Sequence, residues 1–223
     1  MGYANIILDF DGTISDSRDD IAAAQLWVLH QLGVTDVRIE QLYPHIGKTL
    51  QETFAFLLPP GLHGRIPEAV ELYSEYYPPR SLLNTHLFPG VRETLQVLHR
   101  RGKRFAVAST KRLAGIRRAT DHFNITGFFA QLQGSDDIPY KPDPFIINKI
   151  LADQGWERAE TIMVGDSGHD INAGRAAGVG TCAVTYGALC AGEVRAYSPD
   201  FIIGRFPELG PIVNGSPSPA EQS

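Results

Sequence analysis

Cysteine is scarce. The chain carries only Cys182 and Cys190, which form no CxxC pair and no disulfide framework. A reducing cytoplasm is the expected location, and Cys182, set in an apolar strand-like run, is expected to be a buried small residue. Basic residues do not dominate: 20 Lys and Arg face 25 Asp and Glu, a net charge of −5. That balance argues against broad nucleic-acid binding, which needs a basic patch. No run approaches the roughly 18 consecutive apolar residues of a membrane span, so no membrane partner is expected. The N-terminus enters a strand almost at once, without a basic region or long apolar stretch, so no signal peptide is expected. Met1-Gly2 opens like a myristoylation signal, but Ile6 stands where that signal needs Ser or Thr. No repeat of solenoid period is present.

What is present suits a globular protein of one large domain, or a core domain plus a small one: 223 residues, 43% hydrophobic and 20% charged. Strands are expected at Asn5 to Asp9, Phe105 to Ala108, Phe129 to Gln133, Thr161 to Val164, Val179 to Val184 and Phe201 to Ile203. Helices are expected over Ser17 to Leu32 with a Gly33 stop, Val91 to Arg101 and Arg112 to His122. Others are expected over Pro144 to Gln154, Asp170 to Ala177 and Pro207 to Val213. Strands alternating with helices predict a parallel α/β sheet of Rossmann-like type. Residues 36–80 read as wholly helical, with Ile39 to Tyr43, Thr49 to Leu58 and Pro67 to Tyr77 punctuated by Pro59-Pro60-Gly61 and Pro78-Pro79. This stretch is too long for a simple crossover and predicts an inserted small α-helical domain. Tyr43, Phe54, Leu57, Tyr73 and Tyr76 are expected to form its core. Residues 214–223, NGSPSPAEQS, lack apolar anchors and are expected to be disordered.

The strand ends carry the chemistry. The apolar run Ile6-Ile7-Leu8 leads directly into Asp9, followed by Asp11, Gly12 and Thr13. Open parallel sheets bind ligands at the carboxyl ends of their strands. The strand from Thr161 likewise runs into Gly165-Asp166, with Asp170 about one helical turn further. Several carboxylates at one sheet edge cannot all stay ionised without a cation, and hard oxygen donors suit Mg²⁺. Ser109-Thr110-Lys111 and Tyr140-Lys141-Pro142 add hydroxyl, backbone N–H and ammonium donors at the same edge. A cation and donors around a carboxylate nucleophile fit phosphoryl transfer. An EF-hand is excluded, since Gly12 is fourth rather than sixth in its loop and Asp20, not Glu, is twelfth. Gly47-Lys48-Thr49 mimics the end of a P-loop, but the required upstream glycine would fall at Leu42 and no strand precedes it.

Taken in order, these motifs resemble the haloacid dehalogenase superfamily, specifically its phosphatases, over residues 4 to roughly 204. DFDGT is similar to the first motif, FAVAST to the second, Lys141 of YKPDP to the third and GDSGHD to the fourth. IGKTLQETF followed by FPGVRETLQVL is most similar to the phosphoglycolate phosphatase branch. The resemblance implies a catalytic core over residues 1–14 and 86–213 and a helical cap over 15–85. It implies that Asp9 attacks phosphorus and becomes an aspartyl phosphate, while Asp11 protonates the leaving oxygen and then activates water. Ser109 and Lys141 would hold phosphoryl oxygens. Mg²⁺ would be bound by Asp9, the Asp11 carbonyl and Asp166, with Asp170 acting directly or through water.

Close relatives often read TNK in the second motif, where this chain has Thr110 in place of an amide that can contact substrate. In the cap, Arg18, His45, Gly47 and Lys48 are candidates to read the leaving group; the competing expectation is that His45 and Lys48 are solvated surface residues. His169 is expected to face solvent or support the site from behind. The implied partner is a small phosphorylated metabolite, acted on by a monomer or a homodimer. Alternatives within the superfamily are a phosphosugar mutase, a pyrophosphatase, a nucleotidase or a non-enzymatic regulatory member. Mutases commonly carry Val where this chain has Thr13, and dehalogenases usually lack the second acid, Asp11.

Overall fold

The computed structural model describes residues 2–188 and 191–215. The expectation of a disordered tail falls largely on residues 216–223, outside the described set, as does Cys190. The chain divides into two compact units, one formed by Met1–Ser15 with Leu87–Ser223 and the other by Asp16–His86.

The first unit is built on β1 (Asn5–Leu8), whose four residues are all buried, as expected for a strand covered on both faces. It pairs in parallel with β4 (Arg104–Ala108) on one side and β6 (Thr161–Gly165) on the other. β5 (Phe129–Gln133), β7 (Gly180–Val184) and β8 (Phe201–Ile203) complete a six-stranded parallel sheet in the order β5-β4-β1-β6-β7-β8. The chain runs outward from β1 through β4 to β5 and then crosses back to β6, so the topological switch lies between β1 and β6. Crevices of this kind hold ligands beyond the strand ends. Short strands β2 (Ser15–Asp16) and β3 (His86–Leu87) form a separate two-stranded sheet.

Helices α4 (Val91–Arg100), α5 (Leu113–His122), α6 (Phe145–Gln154), α7 (Gly168–Ala177), α8 (Ala191–Arg195) and α9 (Leu209–Val213) accompany this sheet. Ile146, Ile147, Ile150 and Leu151 of α6 and Ala173 and Ala177 of α7 pack on Ile7, Ala106, Ala108 and Met163. Small residues on α7 let that helix lie close to the sheet; a Cβ on Gly174 would meet the Met163 side chain at 3.0 Å. Cys182 is fully buried in β7, as expected.

Helix α7 starts two residues earlier than expected. Ser167 caps it, its hydroxyl accepting from Asp170 N–H while Asp170 reaches back to Ser167, and this reciprocal pair moves the start to Gly168. The small helix α8 and the strands β2 and β3 were not expected; each is too short to carry a periodic pattern.

The second unit holds α1 (Arg18–Gln31), α2 (Leu50–Leu57) and α3 (Ile66–Tyr76), joined by 3₁₀ turns. Phe54 and Tyr73 are buried at its centre, with Tyr43, Leu57 and Tyr76 packed around them. The helix expected over Ile39 to Tyr43 is instead two 3₁₀ turns, Ile39–Gln41 and Tyr43–His45. Pro44 sits in the second turn and has no N–H to continue an α-helical ladder.

Candidate active site

Asp9 follows the last residue of β1, and its backbone N–H still donates to the Val164 carbonyl of β6 at 2.9 Å. That bond extends the strand's register by one residue and sets the Asp9 carboxylate at the switch point. Asp9 is 6% exposed. Its Oδ1 accepts from Lys141 Nζ at 2.7 Å. The same ammonium donates to Asp170 Oδ1 at 2.5 Å and to the Ala108 carbonyl at the end of β4 at 2.9 Å. An ammonium has three donors; all three of Lys141's are directed at three separate elements that meet only in the folded chain.

Asp166 ends β6 and is 2% exposed. Asp9, Asp166 and Asp170 each present a carboxylate oxygen within 4.8 Å of the others. Three buried carboxylates thus lie together, and the one buried ammonium among them bonds to only two, Asp9 and Asp170. Burial pushes the Asp9 carboxyl well above the usual carboxylate range; Lys141 opposes this, and Asp170 and Asp11 add to it. Burial also raises Asp166, reinforced by Asp9 and Asp170. For Lys141, burial works against the charge, but Asp170 and Asp9 outweigh it and raise the pKa. The cluster is short of positive charge, and its donors are all hard oxygens. This fits a divalent cation of the Mg²⁺ kind.

Four of the candidate residues from the first unit, Asp9, Lys141, Asp166 and Asp170, are therefore brought together directly. Asp11 stands beside them but is engaged differently: its carboxylate is paired with Lys111, whose Nζ lies 3.1 and 2.8 Å from its two oxygens. Ser109 is buried at the end of β4, its N–H donating to the Gln133 carbonyl at 3.1 Å and its Oγ accepting from Lys111 N–H at 3.2 Å. Thr110 follows with its carbonyl accepting from Ser135 Oγ at 2.5 Å. His169 is half-buried in the first turn of α7.

The candidates of the helical unit form a group of their own. His45 is 7% exposed, which overturns the expectation of a solvated ring, whereas Lys48 is exposed. Lys48 Nζ is 3.3 Å from His45 Nδ1 and 5.5 Å from the Phe56 ring centroid. The His45 and Phe56 rings lie 4.1 Å apart, and Phe56 is 69% exposed. Burial, and then the neighbouring Lys48, lower the His45 pKa. Gly47 has a φ of +90°, the left-handed region that favours glycine. Arg18 pairs with Asp16 at 2.7 Å.

Several supporting residues were not anticipated. Ala188 N–H donates to Asp166 Oδ2 at 2.7 Å, and Tyr186 Oη donates to the Thr13 carbonyl at 3.0 Å. Residues 186–188 thus strap the loop after β1 to the end of β6. The strap needs glycine twice: a Cβ on Gly187 would overlap Gly12 O and the Asp166 side chain, and one on Gly12 would overlap the Asp166 carboxylate. Gly12 also has a φ of +88°. The signal available in the sequence was position, since Tyr186-Gly187-Ala188 follows β7 at the same sheet edge. Ser135 and Asp136 after β5 belong to the same edge, where Lys111 was already expected among the donors.

Among known proteins, the family described as haloacid dehalogenase-like hydrolase matches residues 6–184. The chain is 29% identical over 216 residues to a phosphoglycolate phosphatase of Vibrio parahaemolyticus serotype O3:K6 (strain RIMD 2210633), covering 93% of this chain and 95% of that protein. It is also 29% identical over 214 residues to the pyrophosphatase PpaX of Halalkalibacterium halodurans, covering 96% of this chain and 98% of that protein. Among solved structures, a putative haloacid dehalogenase-like hydrolase from Bacteroides fragilis superposes with a TM-score of 0.87 at 30% identity, covering 93% of this chain and 99% of that one.

Proposed function

The chain belongs to the haloacid dehalogenase-like hydrolase family, and from that premise we propose that it hydrolyses a small phosphomonoester through an aspartyl phosphate formed on Asp9. The observation that carries the reading is the Lys141 ammonium, shared between Asp9 and Asp170 at the carboxyl end of the central strand. It holds the nucleophile in place and offsets its charge as an anionic substrate approaches.

In the first step an Asp9 oxygen attacks phosphorus, the bond from phosphorus to the ester oxygen breaks, and Asp11 gives that oxygen a proton. In the second, water attacks phosphorus of the aspartyl phosphate and Asp11 takes the water's proton. The bond to Asp9 then breaks, releasing phosphate and restoring the carboxylate. Ser109 and Lys141 hold phosphoryl oxygens. Asp9, Asp166 and Asp170, together with the Asp11 carbonyl, would hold Mg²⁺, which when bound supplies positive charge to the transferring phosphoryl group. In the helical unit, Lys48 and His45 read the leaving group, with Arg18, Gly47 and, from the core, Thr110 contributing.

2-Phosphoglycolate is the first candidate substrate. Pyrophosphate is the second, favoured by the equal identity to a pyrophosphatase. The test is phosphate release with Mg²⁺ from 2-phosphoglycolate, pyrophosphate, sugar phosphates and nucleoside monophosphates, with Asp9→Asn as the blank. Wild-type turnover with none from Asp9→Asn is expected; phosphate release by that variant, with contaminants and deamidation excluded, removes the nucleophile assignment.

A further inference from the structure

The second lysine at the sheet edge, Lys111, has no part in the scheme above, yet it is held as firmly as Lys141. Its N–H donates to Ser109 Oγ at 3.2 Å, and its carbonyl accepts from Ser135 N–H at 3.2 Å. The residues on either side are pinned as well: the Thr110 carbonyl accepts from Ser135 Oγ, and Leu113 N–H donates to Asp136 Oδ2 at 2.7 Å. Gly134 closes this cradle, because a Cβ there would overlap Leu113 N and crowd the Lys111 carbonyl. The aliphatic stem runs past Gly115 on the first turn of α5, where an added Cβ would lie 3.2–3.4 Å from Cγ, Cδ and Cε. At the end of the stem the ammonium meets both oxygens of Asp11, in a pair whose side chains are only 11% and 14% exposed.

We propose that Lys111 is a positioning residue that orients the Asp11 carboxylate toward the leaving oxygen. The inference rests on the reading of Asp11 as the proton shuttle. Asp11 lies three residues beyond β1, in a turn where Ile14 and Ser15 N–H groups close on the Phe10 carbonyl. These backbone contacts fix where that side chain begins. A proton donor acts only within hydrogen-bond reach of the atom it serves. The ammonium, anchored 100 residues away in sequence on the β4–α5 loop, contacts both oxygens and so constrains where the carboxylate points. Lys141 cannot substitute, since its three donors are directed at Asp9, Asp170 and Ala108.

The test exploits the leaving group. For a two-step reaction kcat/KM reports only the events up to departure of the first product, so it isolates the acid role of Asp11 from its later role toward water. kcat/KM is measured with Mg²⁺ over aryl phosphates with uncharged aryl groups, running from 4-nitrophenyl, whose leaving oxygen needs little protonation, to phenyl, whose oxygen needs more. The enzymes compared are wild type, Asp11→Asn and Lys111→Met.

General-acid catalysis contributes about 10²- to 10⁴-fold. Lys111→Met is therefore expected to lose about 10-fold or more on phenyl phosphate and to stay within about 3-fold of wild type on 4-nitrophenyl phosphate. Asp11→Asn should steepen the same dependence further. A uniform loss across the series for Lys111→Met, with Asp11→Asn steep, overturns the positioning role and leaves the proton shuttle standing. A wild-type slope for Asp11→Asn overturns the shuttle reading and this inference with it. Lys111→Gln follows the same groove and is read against the same outcomes where Lys111→Met does not fold.

Discussion

The helical unit is held at its chain ends by one buried acid, and removing it should be costly. Asp20, in the first turn of α1 and 4% exposed, accepts from Asn84 N–H at 3.0 Å, Asn84 Nδ2 at 2.9 Å, Thr85 N–H at 3.0 Å and Thr85 Oγ1 at 2.7 Å. It joins the start of the unit to its last residues. In Asp20→Ala these donors lose a charged acceptor, and a hydrogen bond to a charged group is worth about 1.5–3 kcal/mol. Asn84 is exposed, so water can replace its share, and the single proton of Thr85 Oγ1 can turn to the Ser81 carbonyl 2.9 Å away. Thr85 N–H is buried and loses its acceptor, which costs about 1–3 kcal/mol by itself. Adding the lost favourable placement of an anion at a helix start, about 0.3–1 kcal/mol, brings the total to about 1.3–4 kcal/mol.

Tryptophan placement supplies the assay. Of the two tryptophans, Trp27 belongs to the helical unit, stacked on Tyr76 at 4.0 Å, and Trp156 to the other. In a Trp156→Phe background, Trp27 fluorescence in urea reports the helical unit alone. With a slope of about 1–3 kcal/mol/M, the midpoint should fall by about 0.5–4 M. Asp20→Asn, which keeps one acceptor oxygen, should fall by less. A shift below about 0.5 M for Asp20→Ala, with the slope unchanged, would refute the assignment of this carboxylate as the unit's tie.

Two further outcomes follow from the core. Gly187→Ala forces a Cβ onto Gly12 O and Asp166, so under the proposal that Asp166 helps hold Mg²⁺ the affinity measured by calorimetry should drop about 10- to 100-fold, the usual cost of disturbing a ligand's support; an unchanged affinity would show that the strap does not set Asp166. Burial raises the Cys182 thiol pKa far above neutrality, so in a Cys190→Ser variant thiol reagents at pH 8 should react only after denaturant is added, and labelling of the native protein within minutes would contradict the buried position in β7.

Local chemistry was legible residue by residue. Ile6-Ile7-Leu8 could only be a strand buried on both faces, and ending it at Asp9 put an acid at a sheet edge. Ser167 and Asp170 form a capping box whose members are three residues apart, so the start of α7 was within reach of the sequence even though Gly168 was not chosen as its first residue. The second unit's α-helices were legible from apolar spacing, while the segment around Pro44 was not, because the missing N–H of one proline decides between an α-helix and two 3₁₀ turns.

Pairing across the sequence had to await the tertiary structure. Lys141 reaches Asp9 across 132 residues, Lys111 reaches Asp11 across 100, and Ala188 reaches Asp166 across 22. The two lysines look alike in the sequence, each following a strand and a polar turn; only the strand order separates them. Placing β1 between β4 and β6 directs Lys141 to Asp9 and its buried neighbours, and sets Lys111 over Asp11. Periodicity and capping act between residues a few positions apart, so they are written in the sequence itself. Which loops converge depends on which strands hydrogen-bond side by side, and that is decided only when the whole sheet closes on its core.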